Sequence, residues 1–280
     1  MRLMLLIAVT MVAFAANSIL NRVAVDSGAI DSGSFAWVRV LSGAVMLVAL
    51  ATWQQRGVPL LAKGRLIGAG SLTLYMVAFS LAYLTLDAGL GALLAFGAVQ
   101  ITIFVLTALR GAPATARQLS GSALAFAGLT WVLWPGADMT VDLTGAVLMI
   151  GAGIGWGIYT LAGRGEPDAL AGTAANFCLA LPLTVLATWL FAGPPEITGT
   201  GLALAVLSGA ITSGLGYALW YAIVPQLAPA TAAIVMLSVP VIALVGGVAL
   251  LGEVASARLL LGSALVIGGI AWAVWSPRPA

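Results

Sequence analysis

The sequence predicts an all-α membrane protein of ten transmembrane helices, arranged as two inverted five-helix repeats around a central cavity. Three observations predict it: the composition, the length of the apolar stretches and an internal repeat. Of 280 residues, 62% are hydrophobic and 7% are charged, whereas a soluble domain needs roughly 25% charged residues. Because apolar stretches of about 20 residues cross a hydrocarbon core as helices, most of the protein surface should face lipid.

The apolar stretches leave only short connections, which excludes a separate soluble domain. The first stretch resembles a cleaved signal peptide in its Arg2 and its Ala13-Phe14-Ala15, but it continues to about Leu20 and belongs to the repeat. The predicted spans are residues 3–24, 32–53, 66–86, 88–109, 117–135, 142–162, 170–191, 201–222, 228–250 and 257–275.

The internal repeat relates the two halves of the chain. In one register residues 117–124 align with residues 258–265, and in a second register, shifted by a single position, Phe14 aligns with Trp156. A unit with an odd number of helices must be followed by a copy that enters the bilayer from the other side, which makes the repeat inverted. The predicted units, residues 1–137 and residues 138–280, form one membrane domain.

The distribution of charge predicts the orientation in the membrane. With the N-terminus inside, eight basic residues fall in cytoplasmic segments and two fall in outer segments, while seven of nine acids lie outside. Basic residues concentrate in cytoplasmic loops of membrane proteins. We therefore predict a multi-pass protein of the bacterial inner membrane with both termini in the cytoplasm.

Composition also excludes several classes of function. A net charge of +2, with basic residues scattered between spans, does not predict a nucleic-acid partner. Cys178 is the one cysteine and histidine is absent, so neither a nucleophile pair nor a metal-ligand cluster is available. We expect no enzyme activity, no metal, no cofactor and no obligate protein partner. The expected partners are the lipid bilayer and a small-molecule substrate.

Polar and aromatic residues at helical spacing within spans indicate an interior face, because lipid-facing positions favour plain aliphatic side chains. Spans 1, 3, 6 and 8 each show such a face, and the repeat places these faces at related positions. This favours a substrate cavity near the membrane midplane, although packing between helices is the alternative for each residue. The predicted substrate-binding residues are Asn17, Tyr75, Phe79, Tyr83, Gln100, Trp156, Tyr159 and Trp220.

Two further residues have more than one interpretation. Arg39 lies within span 2, where it could snorkel to the surface, pair with Asp31 or Asp26, or provide the counter-charge for a substrate carboxylate. Pro240 lies inside predicted span 9, where the missing backbone N–H permits a kink that could act as a gate. No span carries a carboxylate at its middle, which favours facilitated or weakly coupled movement over proton pumping.

Motifs in the second half carry a resemblance to a known family. Leu251-Gly252-Glu253 is followed by GSALVIGG at residues 262–269, and Pro240 and Arg39 also fall at characteristic family positions. On these residues the chain resembles the EamA-type branch of the drug/metabolite transporter (DMT) superfamily. The first half departs from the pattern, with Arg110-Gly111-Ala112 where Gly-Glu is usual and Gln100 near an expected proline.

Within this family the chain is most similar to the YddG-type aromatic amino-acid exporters in its length and aromatic content. The resemblance implies a basket-like fold in which helices 1–4 and 6–9 surround a central cavity and helices 5 and 10 are peripheral. It also implies export of aromatic and other neutral amino acids.

The sequence therefore predicts a secondary transporter that exports amino acids or similar small metabolites across the inner membrane by alternating access. One alternative is an exporter of amphipathic drugs or cations, which the lack of a mid-span acid disfavours. A passive solute channel and a membrane-embedded enzyme are the others.

Overall fold

A computed structural model describes residues 2–111, 115–134, 141–163, 166–191, 194–223, 226–227 and 235–274. Within these residues the chain forms ten helices and one isolated β-bridge between Ile30 and Ile197, with no strand. The helices are α1 Arg2–Asp26, α2 Ser32–Trp53, α3 Arg65–Ala82, α4 Ala88–Leu109, α5 Ala116–Leu133, α6 Leu143–Gly163, α7 Ala169–Phe191, α8 Gly199–Ile223, α9 Ser238–Leu251 and α10 Ala257–Val274.

Two helices contain π-helical segments. In α8, Leu207–Leu215 is π-helical and joins the α-helical segments Gly199–Val206 and Gly216–Ile223 into one continuous helix. In α9, the segment Gly247–Leu251 is π-helical. Such segments are rare in proteins and are frequent at functional sites.

Seven of the described helices are long and apolar enough to cross a membrane: α1 to α4, α6, α7 and the part of α8 from Gly199 to Trp220. The described parts of α9 and α10 are apolar but shorter. Helix α5 has 18 residues, and Arg117 and Gln118 in its first turn lower its mean hydropathy. The chain is thus a multi-pass membrane protein.

The predicted spans agree with these helices to within a few residues, with one exception inside the described part. Helix α3 ends at Ala82, four residues before the predicted end at residue 86, because residues 83–86 form the turn that leads into α4. Residues 228–234 of predicted span 9 lie outside the described residues, as do Arg164, Trp275 and Arg278.

The described helix contacts form pairs that the predicted repeat would exchange. Helix α6 packs on α3 and α4, and its counterpart α1 packs on α8 and α9. Likewise α2 contacts α8, and α7 contacts α3. Three of the five counterpart pairs are also in direct contact: α2 with α7, α4 with α9, and α5 with α10. One buried core cluster lies among α1 to α4 and α6 to α9, and a second includes residues of α5 and α10, which pack mainly on each other.

Glycines set the close approach of α5 and α10. A Cβ added to Gly269 would lie 2.6 Å from the carbonyl oxygen of Gly121, and one added to Gly128 would lie 3.0 Å from the carbonyl oxygen of Gly262. The register that aligns residues 117–124 with residues 258–265 also exchanges the two glycines of α5 with those of α10. Small residues permit such contacts where lipid gives no hydrophobic drive for helix association.

Because Gly269 has no room for a side chain, we expect Gly269→Ala to lower the melting temperature of the detergent-solubilised protein. Overpacking costs about 1–3 kcal/mol. Gly268→Ala is the matched control, since a Cβ at Gly268 meets nothing within 4 Å and alanine has the better helix propensity. Equal melting temperatures for the two variants, measured by thermal unfolding, would contradict the described packing.

Ion pairs mark the two ends of the helix bundle. The end that carries the start of α1, called the N-terminal face, also carries the connections after α2, α4 and α6. On this face Arg56 pairs with Asp168 at 2.8 Å and Arg65 pairs with Glu166 at 2.5 Å. On the opposite face Arg22 lies 3.1 Å from Asp26. The pair with Asp26 lies within α1, whereas Asp87, at the start of α4, lies 3.7 Å from Arg22 and joins two helices on this face.

The Leu251-Gly252-Glu253 motif lies on the opposite face. Gly252 adopts a positive φ of 69° that terminates the π-helical segment of α9. The turn brings the Glu253 carboxylate to the first turn of α4, where it accepts a hydrogen bond of 2.6 Å from the backbone N–H of Ala88. Burial raises the pKa of Glu253, and this hydrogen bond opposes the shift. The motif joins α9 to its counterpart α4.

Candidate functional site

Aromatic rings from both halves meet at the centre of the bundle. The ring of Tyr75 on α3 lies 5.0 Å from the ring of Trp156 on α6, and the ring of Phe14 on α1 lies 5.7 Å from that of Tyr217 on α8. The register that aligns Phe14 with Trp156 also aligns Tyr75 with Tyr217, so the repeat exchanges these two pairs. Trp156 and Tyr217 connect them, with ring centroids 4.9 Å apart. We call these four residues the central rings.

Four more predicted residues extend this series outward. Phe79 lies 5.2 Å from Tyr75 and 4.8 Å from Tyr83, which is fully buried. Tyr159 lies 5.4 Å from Trp156. On the other side Trp220 lies 6.1 Å from Phe14.

The Arg39 side chain reaches the central rings from α2. It is fully buried, its Nε donates to Ser213 Oγ at 3.0 Å, and one Nη donates to the Tyr75 hydroxyl at 3.2 Å. The guanidinium also lies 5.1 Å from the ring centroid of Phe79, a distance at which cation–π attraction operates. These contacts hold the guanidinium beside the rings.

The expectation that Arg39 snorkels or pairs with Asp31 or Asp26 is wrong. Asp31 caps α2 by accepting from the Ser34 N–H, and Asp26 pairs with Arg22. Both acids are thus engaged near the opposite face, while Arg39 points into the bundle. Within the described residues, its Nη1 atom is buried and has no hydrogen-bond partner.

A hydroxyl network fixes Arg39 from the second half of the chain. The Asn17 Oδ1 atom accepts hydrogen bonds from Ser208 at 2.8 Å, Thr212 at 2.6 Å and Ser213 at 3.3 Å. All three hydroxyls belong to the π-helical segment of α8, which therefore aims them at one acceptor. Ser213 donates to Asn17 and accepts from Arg39, so this residue couples the amide to the guanidinium.

The space between these groups is small. The central cavity has a volume of about 20 Å³, enough for about one water molecule. A volume of this size does not admit an amino acid. Its lining consists of Phe14, Asn17, Ser18, Tyr75, Phe79, Ala95, Phe96, Val99, Gly153, Trp156 and Tyr217.

Four predicted residues, Asn17, Tyr75, Phe79 and Trp156, thus line the cavity. Tyr83 and Trp220 lie one ring away, and Tyr159 lines a separate polar pocket. Gln100 is buried on α4 but is not part of the cavity lining.

The prediction of eight binding residues omitted Tyr217 and Ser213. Tyr217 was detectable, because the register that aligns Phe14 with Trp156 also aligns it with Tyr75. Ser213 carried no comparable signal, since its contact with Arg39 spans 174 residues of sequence.

Pro240 does not lie in the middle of a described helix. The described part of this span turns at Leu237, and α9 starts at Ser238 with Pro240 in its first turn. Backbone N–H groups in a first turn have no partner within the helix, so the proline removes no helical hydrogen bond there. The chain is helical at residues 235 and 236 as well, so the span is interrupted at Leu237. A kink at this interruption and a gating role for Pro240 both stay predictions.

Apolar helices of membrane-spanning length surround an enclosed aromatic and cationic centre, which defines a polytopic membrane protein. The chain belongs to the EamA-like transporter family, whose model matches residues 143–275. The resemblance to the EamA-type branch of the DMT superfamily is thus confirmed, whereas similarity to the YddG type in particular stays a prediction.

Relatives are similar in sequence to this chain over between half and nearly all of its length. An uncharacterized protein of Pseudomonas aeruginosa is 47% identical and covers 99% of this chain and 96% of its own length. The threonine/homoserine exporter RhtA of Escherichia coli K12 is 34% identical over 51% of this chain and 50% of its own length. A probable terminal-alkyne amino-acid exporter of Streptantibioticus cattleyicolor is 28% identical over 77% of this chain and 72% of that protein.

A crystal structure of low sequence similarity shares the fold. It matches with a TM-score of 0.66 at 19% identity, covering 95% of this chain and 97% of that one.

Proposed function

We propose that this protein is an exporter of neutral amino acids, or of small metabolites with the same head group, and that it binds them between Arg39 and the central rings. The observation that carries the proposal is the buried Nη1 atom of Arg39, which has no partner among the described residues. A buried cation with a free donor favours an anionic ligand group, and a carboxylate matches the guanidinium in charge and geometry.

The remaining groups of the site suit the rest of an amino acid. The electron-rich ring faces of Trp156 and Tyr217 attract an ammonium group, and the same rings offer apolar surface to a side chain. Relatives support this substrate class, since two carry names that specify amino-acid export. Their named substrates differ in the side chain and share the head group, as expected if the head group provides the common anchor.

The proposed mechanism is alternating access between two inverted units. Support comes from the exchange of helix contacts under the internal repeat and from the closed cavity, which requires rearrangement at either end. The N-terminal face is the predicted cytoplasmic side, because the connections and helix ends described on it carry Arg56, Lys63, Arg65 and Arg110. Opening of the ion pairs on one face at a time would expose the site to one side.

The other candidate functions fit the site less well. A cationic drug would meet the positive charge of Arg39, and a channel would need a continuous polar path, whereas the central rings are in mutual contact. We accordingly favour a carrier of neutral amino acids, with aromatic ones included because the cavity lining is rich in rings.

A competition screen in proteoliposomes tests the substrate class. We expect unlabelled threonine, homoserine and phenylalanine to reduce the transport of labelled threonine, and putrescine and glucose to have no effect. Since the carboxylate is the proposed anchor, threonine should compete better than its methyl ester. Competition by putrescine alone would favour a cation exporter and contradict the proposal.

A further inference from the structure

A second polar pocket lies between the central rings and the N-terminal face, at the junction of α3, α6 and α7. Its volume is about 40 Å³. The charged and polar residues of its lining are Lys63, Arg65, Tyr159, Glu166, Thr173 and Asn176. We call this space the vestibular pocket. Tyr159 links it to the candidate substrate site, because its ring contacts that of Trp156.

The vestibular pocket contains buried polar atoms whose hydrogen-bonding capacity is unused. Arg65 is 6% exposed, and its Nη1 pairs with Glu166 while its Nε donates to the carbonyl oxygen of Pro59 at 2.9 Å. Its Nη2 has no partner among the described residues. Asn176 is 7% exposed, and within the same residues its Oδ1 is also without a partner. The pocket therefore presents a spare donor on a cation and a spare acceptor.

We propose that the vestibular pocket is a second binding site for the α-amino-acid head group, in which the ligand exchanges partners with the Arg65–Glu166 ion pair. This inference rests on the proposed function. The ligand carboxylate binds Arg65, and its ammonium binds Glu166 and the Oδ1 atom of Asn176. Binding thereby separates the two side chains that close the N-terminal face.

Charge balance explains why the ligand must be a zwitterion. The ion pair is largely buried, with side-chain exposures of 7% for Arg65 and 19% for Glu166. Separating a buried pair leaves two unpaired charges, which is strongly unfavourable. A zwitterion replaces both partners at once. A solute with a single charge satisfies only one of them, and an uncharged solute satisfies neither.

Two glycines let the polar groups of the vestibular pocket pack closely in this structure, so these groups must move apart to admit a head group. A Cβ on Gly68 would lie 2.7 Å from Asn176 Oδ1, and a Cβ on Gly172 would lie 2.5 Å from Glu166 Cγ. Neither position admits a side chain without displacing the polar group beside it. Substitution of either glycine by alanine would therefore displace the neighbouring polar group without altering its charge.

The test uses the full-length protein in proteoliposomes and measures inhibition of labelled-threonine counterflow by threonine and by N-acetylthreonine, which lacks the ammonium group. In the wild type we expect threonine to inhibit at least about tenfold more strongly, because sites built for a polar group reject analogues that lack it. Glu166→Gln should reduce this ratio severalfold by removing the ammonium partner. Glu166→Asp, which keeps the charge, should largely restore it.

A neighbouring ion pair provides the control. Asp168 pairs with Arg56 on the same face, but both side chains are more exposed, at 35% and 42%. Asp168→Asn should leave the ratio unchanged. An unchanged ratio in Glu166→Gln would overturn the inference and show that the ion pair is structural only. If that variant does not fold, Gly172→Ala carries the same test, with the same reduction expected and the same overturning result.

Failure of this inference is distinguishable from failure of the proposed function. A wild-type protein that shows no threonine counterflow contradicts the function itself. A wild type that shows counterflow, with a ratio insensitive to Glu166→Gln and Gly172→Ala, contradicts only the vestibular site.

Discussion

Arg39→Gln is expected to reduce amino-acid transport by roughly 10- to 150-fold without lowering thermal stability. Hydrogen bonds to charged groups contribute about 1.5–3 kcal/mol, and a substrate carboxylate that loses the guanidinium loses such a bond and its counter-charge. We do not expect the melting temperature to fall, because Arg39 is a buried cation without an ion-pair partner among the described residues. Replacing it by a neutral amide removes the cost of burying that charge.

The two readouts together separate binding from structure. Transport is measured as the initial rate of labelled-threonine counterflow, and stability as the melting temperature in detergent. Arg110→Gln is the matched control, since Arg110 is exposed at the end of α4. A variant at Arg39 that transports normally would contradict the binding role. A melting temperature that falls together with transport would indicate a structural role for the arginine.

Trp156→Ala is expected to produce the second large loss of transport. Trp156 is the ring that contacts both Tyr75 and Tyr217, so its removal separates the two symmetry-related pairs. Aromatic pairs contribute about 0.5–1.5 kcal/mol each, and loss of the contacts to Tyr75 and Tyr217 alone predicts a reduction of at least roughly 5- to 150-fold if they shape the site during transport. Trp156→Phe keeps one ring and should retain most of the activity.

A tryptophan on the outside of the bundle provides the control for this prediction. Trp131 on α5 is 52% exposed, and Trp131→Ala should transport at nearly the wild-type rate. Equal rates for Trp156→Ala and Trp131→Ala would show that the central rings only pack the helices, which is the alternative that the sequence left open.

Much of the helical framework could be predicted from the sequence, because a membrane span is recognised from the length of one continuous apolar stretch. The candidate cavity was predictable in part for a different reason. The repeat places equivalent residues around a common centre, so the alignment of Phe14 with Trp156 indicated a shared site before any contact was known. Gln100 lies outside the cavity lining, because the polarity of a residue does not reveal which side of α4 faces the cavity.

Other features depend on tertiary contacts that no local pattern contains. The π-helical segment Leu207–Leu215 changes the direction in which the following side chains of α8 point. Tyr217 aligns with Tyr75 in the same register that aligns Phe14 with Trp156, and not in the register that relates α5 to α10. Arg39 is anchored by Ser213, far away in sequence. The acid that closes the N-terminal face, Glu166, lies in a connection between helices, where its charge suggests only solvent exposure.

The most direct test of the central claim is counterflow of labelled threonine into proteoliposomes that were preloaded with unlabelled threonine. A carrier with one closed central site predicts transient accumulation of label above the external concentration, saturable with substrate and strongly reduced in Arg39→Gln. Label that only equilibrates, at a rate proportional to concentration and unaffected by Arg39→Gln, would contradict an amino-acid carrier and indicate a passive pore.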